Sequence, residues 1–261
     1  MKFSASSLLS SVKKDGARYP FIDSMRGLCI IGMILYHTLI DYIGFFGSEG
    51  VEGLLTAANV IRDIGCSAFF FISGACLVLS GGSYKRPIIL FGAGLFATGI
   101  TALIFPECYI IFGILTAMGI FGIAGRVLKK PFLRLPPHLF LFFFLVLFFV
   151  FFRCIYGACS FFGKTLFEFP RQWYSNYVSA FFGFPFDGFC SLDYYPVLPW
   201  IFIYFAGFFF MRTHEKIPRF RRLLSVEIRP LSLAGRQSFA VYALHQPVIM
   251  GAVLLMYFIC K

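Results

Sequence analysis

Long apolar stretches alternate with short polar segments along almost the whole chain. Seven stretches can be distinguished, near 24–46, 59–80, 87–105, 108–128, 137–157, 196–211 and 234–259. Turn-forming or charged residues separate them, including Pro106-Glu107 after the third and Lys129-Lys130-Pro131 after the fourth. Because a helix needs about 20 apolar residues to cross a bilayer, the pattern predicts an all-α, polytopic membrane helix bundle with about seven transmembrane helices.

The composition agrees with this pattern. Hydrophobic residues make up 59% of the 261 residues and charged residues only 13%, whereas a soluble domain carries about 25% charged residues. A soluble enzyme, a disordered chain and a disulfide-framework secreted module are therefore excluded, and an integral membrane protein remains. We expect one domain over 1–261, with an N-terminal tail at 1–20, an outer loop at 158–195 and a basic loop at 212–233.

The net charge of +11 indicates orientation. If the N-terminus is cytoplasmic and the spans alternate, most of the 23 Lys and Arg residues fall on the cytoplasmic side, as the positive-inside rule requires. We therefore expect no nucleic acid partner. The segment 212–229 also suits anionic lipid or a phosphorylated cofactor. We expect no cleavable signal peptide in the first 20 residues, and we expect the first span to act as the insertion signal.

The eight cysteines are widely spaced. Cys108, Cys159, Cys190 and Cys260 fall near the predicted outer side, where thiols can be oxidised. A bridge between Cys159 and Cys190 across the outer loop is one option. Their spacing does not resemble a zinc site, so no metal is expected.

The first span carries polar residues that are costly inside a membrane. Arg26 and His37 are 11 residues apart, about 16 Å along a helix and on nearly the same side. Asp41 follows His37 by one turn. A carboxylate at that spacing can orient an imidazole, so Asp41 would hold the ring while His37 accepts a proton as a general base. The alternative is an interfacial Asp in water and a His bonded to a neighbouring helix.

The last span has a similar feature in His245-Gln246-Pro247. His245 is expected at a depth close to that of His37. Pro247 has no N–H, so it leaves a backbone carbonyl near Ala243 without its helical donor. Polar groups beside a helix break usually line a cavity. The two histidines could share one cavity, although the sequence does not show whether their helices touch.

The predicted outer side has its own candidates. Asp193 and Trp200 lie in an acidic-aromatic segment that suits a sugar or amine acceptor, or an interfacial aromatic belt. Arg62 and Asp63 could pair with each other or join that site. Ser73-Gly74 places small residues at a predicted helix contact.

Four segments together resemble a known family. "IDSMRGLCIIGMILYH" at Ile22–His37 resembles the opening helix of membrane acyltransferases of the acyltransferase-3 family. It is closer to the bacterial members of the heparan-alpha-glucosaminide N-acetyltransferase catalytic-domain family. Counterparts of that family's other motifs follow in the same order at Phe69–Leu77, Asp193–Gly207 and Ala234–Val248.

The resemblance implies transfer of an acetyl group from cytoplasmic acetyl-CoA to an acceptor on the outer side, at a bacterial plasma membrane. His37 becomes the candidate catalytic residue, as general base or transient acyl carrier, with Asp41 and His245 in support. Asp193 and Trp200 become acceptor-side candidates, with Arg62, Asp63 and Gln246 added to them. Candidates for the cofactor phosphates are Arg26, Lys85, Arg86 and Arg236, because Arg and Lys bind phosphate well.

One position departs from the family. Bacterial relatives often read "GILH" where this chain has Gly113-Ile-Leu-Thr116. The loss of a polar group there would change the substrate or weaken activity, which keeps an inactive family member as an alternative. A proton-coupled transporter also fits membrane histidines beside a broken helix. O- or N-acylation, the acceptor, and a homodimer are left open.

Overall fold

A computed structural model describes residues 19–47, 49–161 and 164–260. Of the predicted N-terminal tail, only Tyr19 and Pro20 are among the described residues. The helices are α1 Pro20–Phe46, α2 Glu52–Leu79, α3 Lys85–Ile104, α4 Ile114–Phe132, α5 Pro137–Phe151, α6 Tyr177–Phe182, α7 Val197–His214, α8 Pro218–Leu224, α9 Arg229–Arg236 and α10 Ser238–Cys260. A two-stranded antiparallel hairpin, β1 Ala158–Phe161 and β2 Lys164–Glu168, lies between α5 and α6.

The predicted all-α membrane architecture is confirmed. Six helices of the described chain have the length and hydropathy to cross a membrane: α1, α2, α3, α7, α10, and α5 extended to Tyr156. The remaining predicted span, 108–128, corresponds to α4, which begins six residues later and ends four residues later than predicted. The later end brings Lys129 and Lys130 into α4, which lowers the hydropathy of its last turn.

The described chain divides into two compact units. The first unit contains α1, the first part of α2 up to Ile72, and α8, α9 and α10. Within it, α1 and α10 are parallel neighbours. The rings of His37 and His245 are 4.9 Å apart, and further along the same two helices Phe46 lies 5.7 Å from Tyr257.

Glycines allow α9 to pack directly on the first turns of α1. A Cβ atom added at Gly27 would lie 1.9 Å from the Leu231 carbonyl oxygen, and one at Gly235 would lie 1.8 Å from the Asp23 carbonyl oxygen. Buried Ser24 adds hydrogen bonds across the same contact, because its hydroxyl accepts from the Ile228 N–H at 3.1 Å. The backbones of α1 and α9 therefore touch at a fixed position.

The second unit runs from Ser73 to His214. In it, the predicted small-residue contact at Ser73-Gly74 is confirmed, since a Cβ at Gly74 would lie 1.7 Å from the Tyr204 carbonyl oxygen of α7. The core of this unit is aromatic. Phe121, Phe208 and Phe209 are fully buried there.

The second unit has two chemically different ends. At one, which we call the disulfide end, Cys108 is bonded to Cys190, and the Asp193 carboxylate accepts a hydrogen bond from the Ile114 N–H at the start of α4. At the other, the basic end, Lys129 donates to carbonyl oxygens at the end of α2 and Arg212 donates to those at the end of α4. Lys and Arg stabilise helix C-termini in this way.

The disulfide determines how many times this unit crosses the membrane. Cys108 follows α3 and Cys190 precedes α7, and a bonded pair must lie on one side of the bilayer. The chain between them therefore crosses an even number of times. Since α5 crosses, α4 must cross as well, and its 19 residues rise about 28 Å, close to the thickness of the hydrocarbon core. This supports seven spans.

The predicted Cys159–Cys190 bridge is wrong. Cys190 pairs with Cys108 from the α3–α4 connection, while Cys159 is a free thiol buried in a small core with Cys154, Phe169 and Phe184. Burial raises the pKa of the Cys159 thiol, which makes it unreactive. Next to the disulfide, the Ser191 hydroxyl forms hydrogen bonds with the backbone of Ile111, which hold the α3–α4 connection beside Cys190.

Removing the disulfide should destabilise the second unit. The bond closes a loop of 82 residues, so the double substitution Cys108→Ser and Cys190→Ser is expected to lower the free energy of unfolding by about 4 kcal/mol. Thermal unfolding in detergent measures the effect. Cys260 is an exposed free thiol, so Cys260→Ser is the control. Equal melting temperatures for the control and the double variant would contradict the prediction.

Candidate functional site

The first unit brings two predicted residues of the site together. His37 lies two thirds of the way along α1 and His245 in the first third of α10. The two helices are parallel neighbours, and the two rings meet edge to face with centroids 4.9 Å apart. Both side chains are partly buried. The structure therefore shows that the helices carrying the two histidines touch at these rings, a contact that the sequence left open.

His245 is oriented by its own helix. Its Nδ1 lies 2.5 Å from the Tyr242 carbonyl oxygen. A carbonyl oxygen only accepts, so Nδ1 carries the proton and Nε2 of the neutral ring carries the lone pair. This arrangement suits a general base, and the orienting group is a backbone carbonyl rather than a carboxylate.

Asp41 has a partner other than the one expected. Gln246 Nε2 donates to both oxygens of the Asp41 carboxylate, at 3.1 and 3.0 Å. The structure shows no hydrogen bond between Asp41 and His37, so the proposed orientation of His37 by Asp41 is corrected. A buried carboxylate is stabilised by hydrogen-bond donors, and the Gln246 amide from the neighbouring helix supplies them. The buried Gln246 Oε1 has no hydrogen-bond partner among the described residues.

A polar network beside His37 was not foreseen in the sequence. The Tyr36 hydroxyl donates to Asn59 Oδ1 at 3.0 Å and accepts from Arg62 Nη1 at 2.8 Å. Arg62 also pairs with Asp63 at 2.8 Å, as expected, and lies over the Tyr36 ring. The Tyr36 ring in turn contacts the His37 ring at 5.6 Å. Arg62 and Asp63 therefore hold Tyr36 in place. Tyr36 and Asn59 were missed because a tyrosine or asparagine in a helix has no distinctive spacing.

The beginning of α1 carries a cluster of paired charges. Asp23 lies 3.6 Å from Arg26 and 3.7 Å from Arg236, and Arg236 also contacts Glu227 at 2.7 Å. The Arg26 side chain is 25% exposed and that of Arg236 34% exposed. The structure thus brings together two of the four residues proposed to bind the cofactor phosphates.

The other predicted residues lie in the second unit. Lys85 and Arg86 are exposed at the start of α3, at the basic end. Asp193 is partly buried and bonded to the first N–H of α4, and Trp200 is buried against Tyr195 and Phe148. In the structure Asp193 and Trp200 thus have packing partners within their own unit.

Thr116, where the chain departs from the family pattern, is a buried residue of the second unit. Its hydroxyl has no hydrogen-bond partner among the described residues. Phe112, Phe181 and Tyr195 line a small cleft beside it. The position is closely packed, because a Cβ at Gly94 would lie 2.3 Å from the Thr116 Oγ1.

A comparison with known families identifies the chain. The family model for the catalytic region of heparan-alpha-glucosaminide N-acetyltransferase matches residues 18–247. The chain belongs to this family. No curated protein and no solved structure matches it significantly.

Membership in the heparan-alpha-glucosaminide N-acetyltransferase family, together with the apolar helices, supports a multi-pass membrane acetyltransferase. The match begins just before α1 and ends at Pro247. It therefore contains both histidines, Asp41 and Gln246. Within 19–47, 49–161 and 164–260, no group of three His, Cys, Asp or Glu side chains could hold a metal ion.

The Asp41–Gln246 contact can be tested by its effect on stability. Gln246→Leu removes the donors of a buried carboxylate, which should lower the free energy of unfolding by about 1–3 kcal/mol. Asp41→Leu combined with Gln246→Leu removes both partners, so the double variant should be more stable than Gln246→Leu alone. Thermal unfolding measures both effects, with the exposed Gln172→Leu as control. A double variant less stable than Gln246→Leu would argue against the contact.

Proposed function

We propose that the protein transfers an acetyl group from cytoplasmic acetyl-CoA to a hydroxyl or amine acceptor reached from the opposite side of the membrane. The observation that carries this proposal is the meeting of His37 and His245 beside the Asp41–Gln246 contact, between two parallel membrane helices. Membership in an acetyltransferase family supports the reaction class.

Arg26 and Arg236 suit the phosphates of the donor. Both are paired with carboxylates, but each remains partly exposed, and a guanidinium has five N–H donors. Their exposed guanidinium groups therefore suit phosphate oxygens as well as carboxylates. When bound, acetyl-CoA supplies an activated thioester. From Arg26 to His37, α1 rises about 16 Å, which is of the order of an extended pantetheine arm.

His37 and His245 provide the acid–base chemistry in this proposal. One imidazole accepts the proton that the acceptor N–H or O–H loses as its N or O atom forms the new bond to the acetyl carbon. The C–S bond of the thioester breaks as the new bond forms, and the same proton then passes to the leaving thiolate, either directly or by way of the second imidazole 4.9 Å away. Tyr36 packs edge-on against the His37 ring, and the side chain of His37 is partly buried. A transient acetyl group on His37 is the other route.

Asp41 and Gln246 suit recognition of the acceptor. The donor atom of the Gln246 amide is already bonded to Asp41, so Gln246 does not stabilise an oxyanion. Its unpartnered Oε1 is instead an acceptor for an N–H or O–H group. The Asp41 carboxylate adds negative charge beside it. Together they favour a substrate with several donors, such as an amino sugar or a hydroxyl-rich glycan, over an apolar acceptor.

The direct test uses the purified protein in proteoliposomes. Acetyl-CoA with a labelled acetyl group is supplied on one side, and candidate amino sugars and glycans on the other. Acetylated acceptor should appear only with donor and acceptor on opposite sides. Binding of acetyl-CoA without transfer would indicate an inactive family member. Movement of the acceptor without acetylation, and without binding of acetyl-CoA, would indicate a transporter instead.

A further inference from the structure

The segment that joins α7 to α10 has an exposed surface that the proposed reaction does not use. From Glu215 to Gln237 it contains six Lys and Arg residues and two carboxylates, those of Glu215 and Glu227. Arg219, Arg221, Arg222 and Arg229 are all exposed. Glu227 is bonded to Ser232 and Arg236, so its charge is balanced by Arg236. The surface is therefore strongly positive.

Apolar side chains are interleaved with these arginines. Leu223 and Val226 are 43% and 48% exposed, although the segment is folded into helices α8 and α9. Exposed aliphatic groups next to clustered arginines do not suit a phosphate ligand dissolved in water. They are typical of an amphipathic segment that lies in a membrane interface, with cations at the headgroups and apolar groups below them.

The fold keeps this segment at the membrane surface. It connects two membrane-spanning helices, α7 and α10. The α9 backbone also contacts α1 at Gly27 and at Asp23, in the first two turns of that span. With 27 residues, α1 is about 40 Å long, longer than the hydrocarbon core, so its first turn reaches the headgroup layer.

We infer that the exposed arginines of α8 and Arg229, with Leu223 and Val226, form a binding surface for the headgroups of anionic phospholipids. Charge complementarity selects the phosphate, and the aliphatic groups select a lipid over a free phosphate. Each Lys or Arg near an anionic membrane surface contributes about 1 kcal/mol, so removal of three cations corresponds to roughly a hundredfold loss of affinity.

The test is lipid retention by the full chain in detergent. The protein is titrated with fluorescent phosphatidylglycerol or phosphatidylcholine and the bound lipid is measured. The triple variant Arg219→Gln, Arg221→Gln, Arg222→Gln should bind phosphatidylglycerol about a hundredfold more weakly. The same three positions changed to Lys should retain binding within a fewfold. A matched control neutralises three exposed cations elsewhere, through Arg153→Gln, Lys164→Gln and Arg171→Gln.

Two further measurements distinguish a lipid headgroup from soluble CoA as the phosphate ligand of this surface. Leu223→Ser with Val226→Ser should weaken phosphatidylglycerol binding without changing the binding of CoA. Excess CoA should not displace the lipid. Displacement by CoA would assign the surface to the soluble cofactor and overturn the inference. Equal binding of both lipids by the natural chain, or equal loss in the control triple variant, would also overturn it.

Discussion

Replacing His37 with alanine is expected to lower the rate of acetyl transfer by a factor of about 10² to 10⁴, the usual contribution of a general acid or base. The reason is its position. His37 lies against His245 and Tyr36, inside a membrane span where water cannot easily take over proton transfer. Transfer of labelled acetyl from acetyl-CoA measures the rate. Binding of acetyl-CoA should change little, because Arg26 and Arg236 are untouched.

The matched control for this variant is His138→Ala. His138 is exposed at the start of α5, so its loss should leave the rate within about twofold. The melting temperatures of both variants show whether the fold is preserved. A folded His37→Ala protein with the natural rate would remove His37 from the reaction, and the same measurement on His245→Ala would then show whether His245 alone is the base.

The substitution Gly27→Val is expected to prevent stable folding of the first unit. Its Cβ would lie 1.9 Å from the carbonyl oxygen of Leu231, a backbone atom that no rotamer change can move aside. Overpacking of this kind costs about 3 kcal/mol or more. Separation of α9 from α1 would also move Arg236 away from Asp23. Both the melting temperature and the affinity for acetyl-CoA should therefore fall.

Gly32 provides the comparison for this effect. It lies on the same helix, and a Cβ added there meets nothing within 4 Å. Gly32→Val should thus leave the melting temperature within a few degrees of the natural value. If the two valine variants had the same melting temperature, the close contact between α1 and α9 would not exist as described.

Sequence patterns predict the local features of this protein well, because apolar length and charge are local properties. Each of the seven apolar stretches overlaps a helix. The polar segments between the predicted spans already contain Lys129 and Arg212, the cations of the basic end. The end of α4 was predicted four residues too early, since Lys129 and Lys130 are charged and yet belong to the helix. The Lys129 charge is compensated by carbonyl oxygens that the sequence does not reveal.

Contacts between distant residues were the part that the sequence could not supply. Asp41 has His37 one turn away, but its hydrogen-bond partner is 205 residues along the chain. Similarly, Cys190 pairs with Cys108 rather than with the nearer Cys159. Helical spacing describes one helix at a time, so it placed His37 and His245 at similar depths without showing that they touch. Which helices become neighbours depends on packing, through close contacts such as that at Gly27.

The parallel packing of α1 and α10 has a consequence for the whole topology. Two parallel helices cross the bilayer in the same sense, so the number of crossings from the first to the last must be odd. Six crossings would make them antiparallel, whereas seven, with α4 included, make them parallel. A reporter attached ahead of Pro20 and one attached after Cys260 should therefore signal from opposite compartments, for example in a paired assay of alkaline phosphatase and fluorescent-protein fusions.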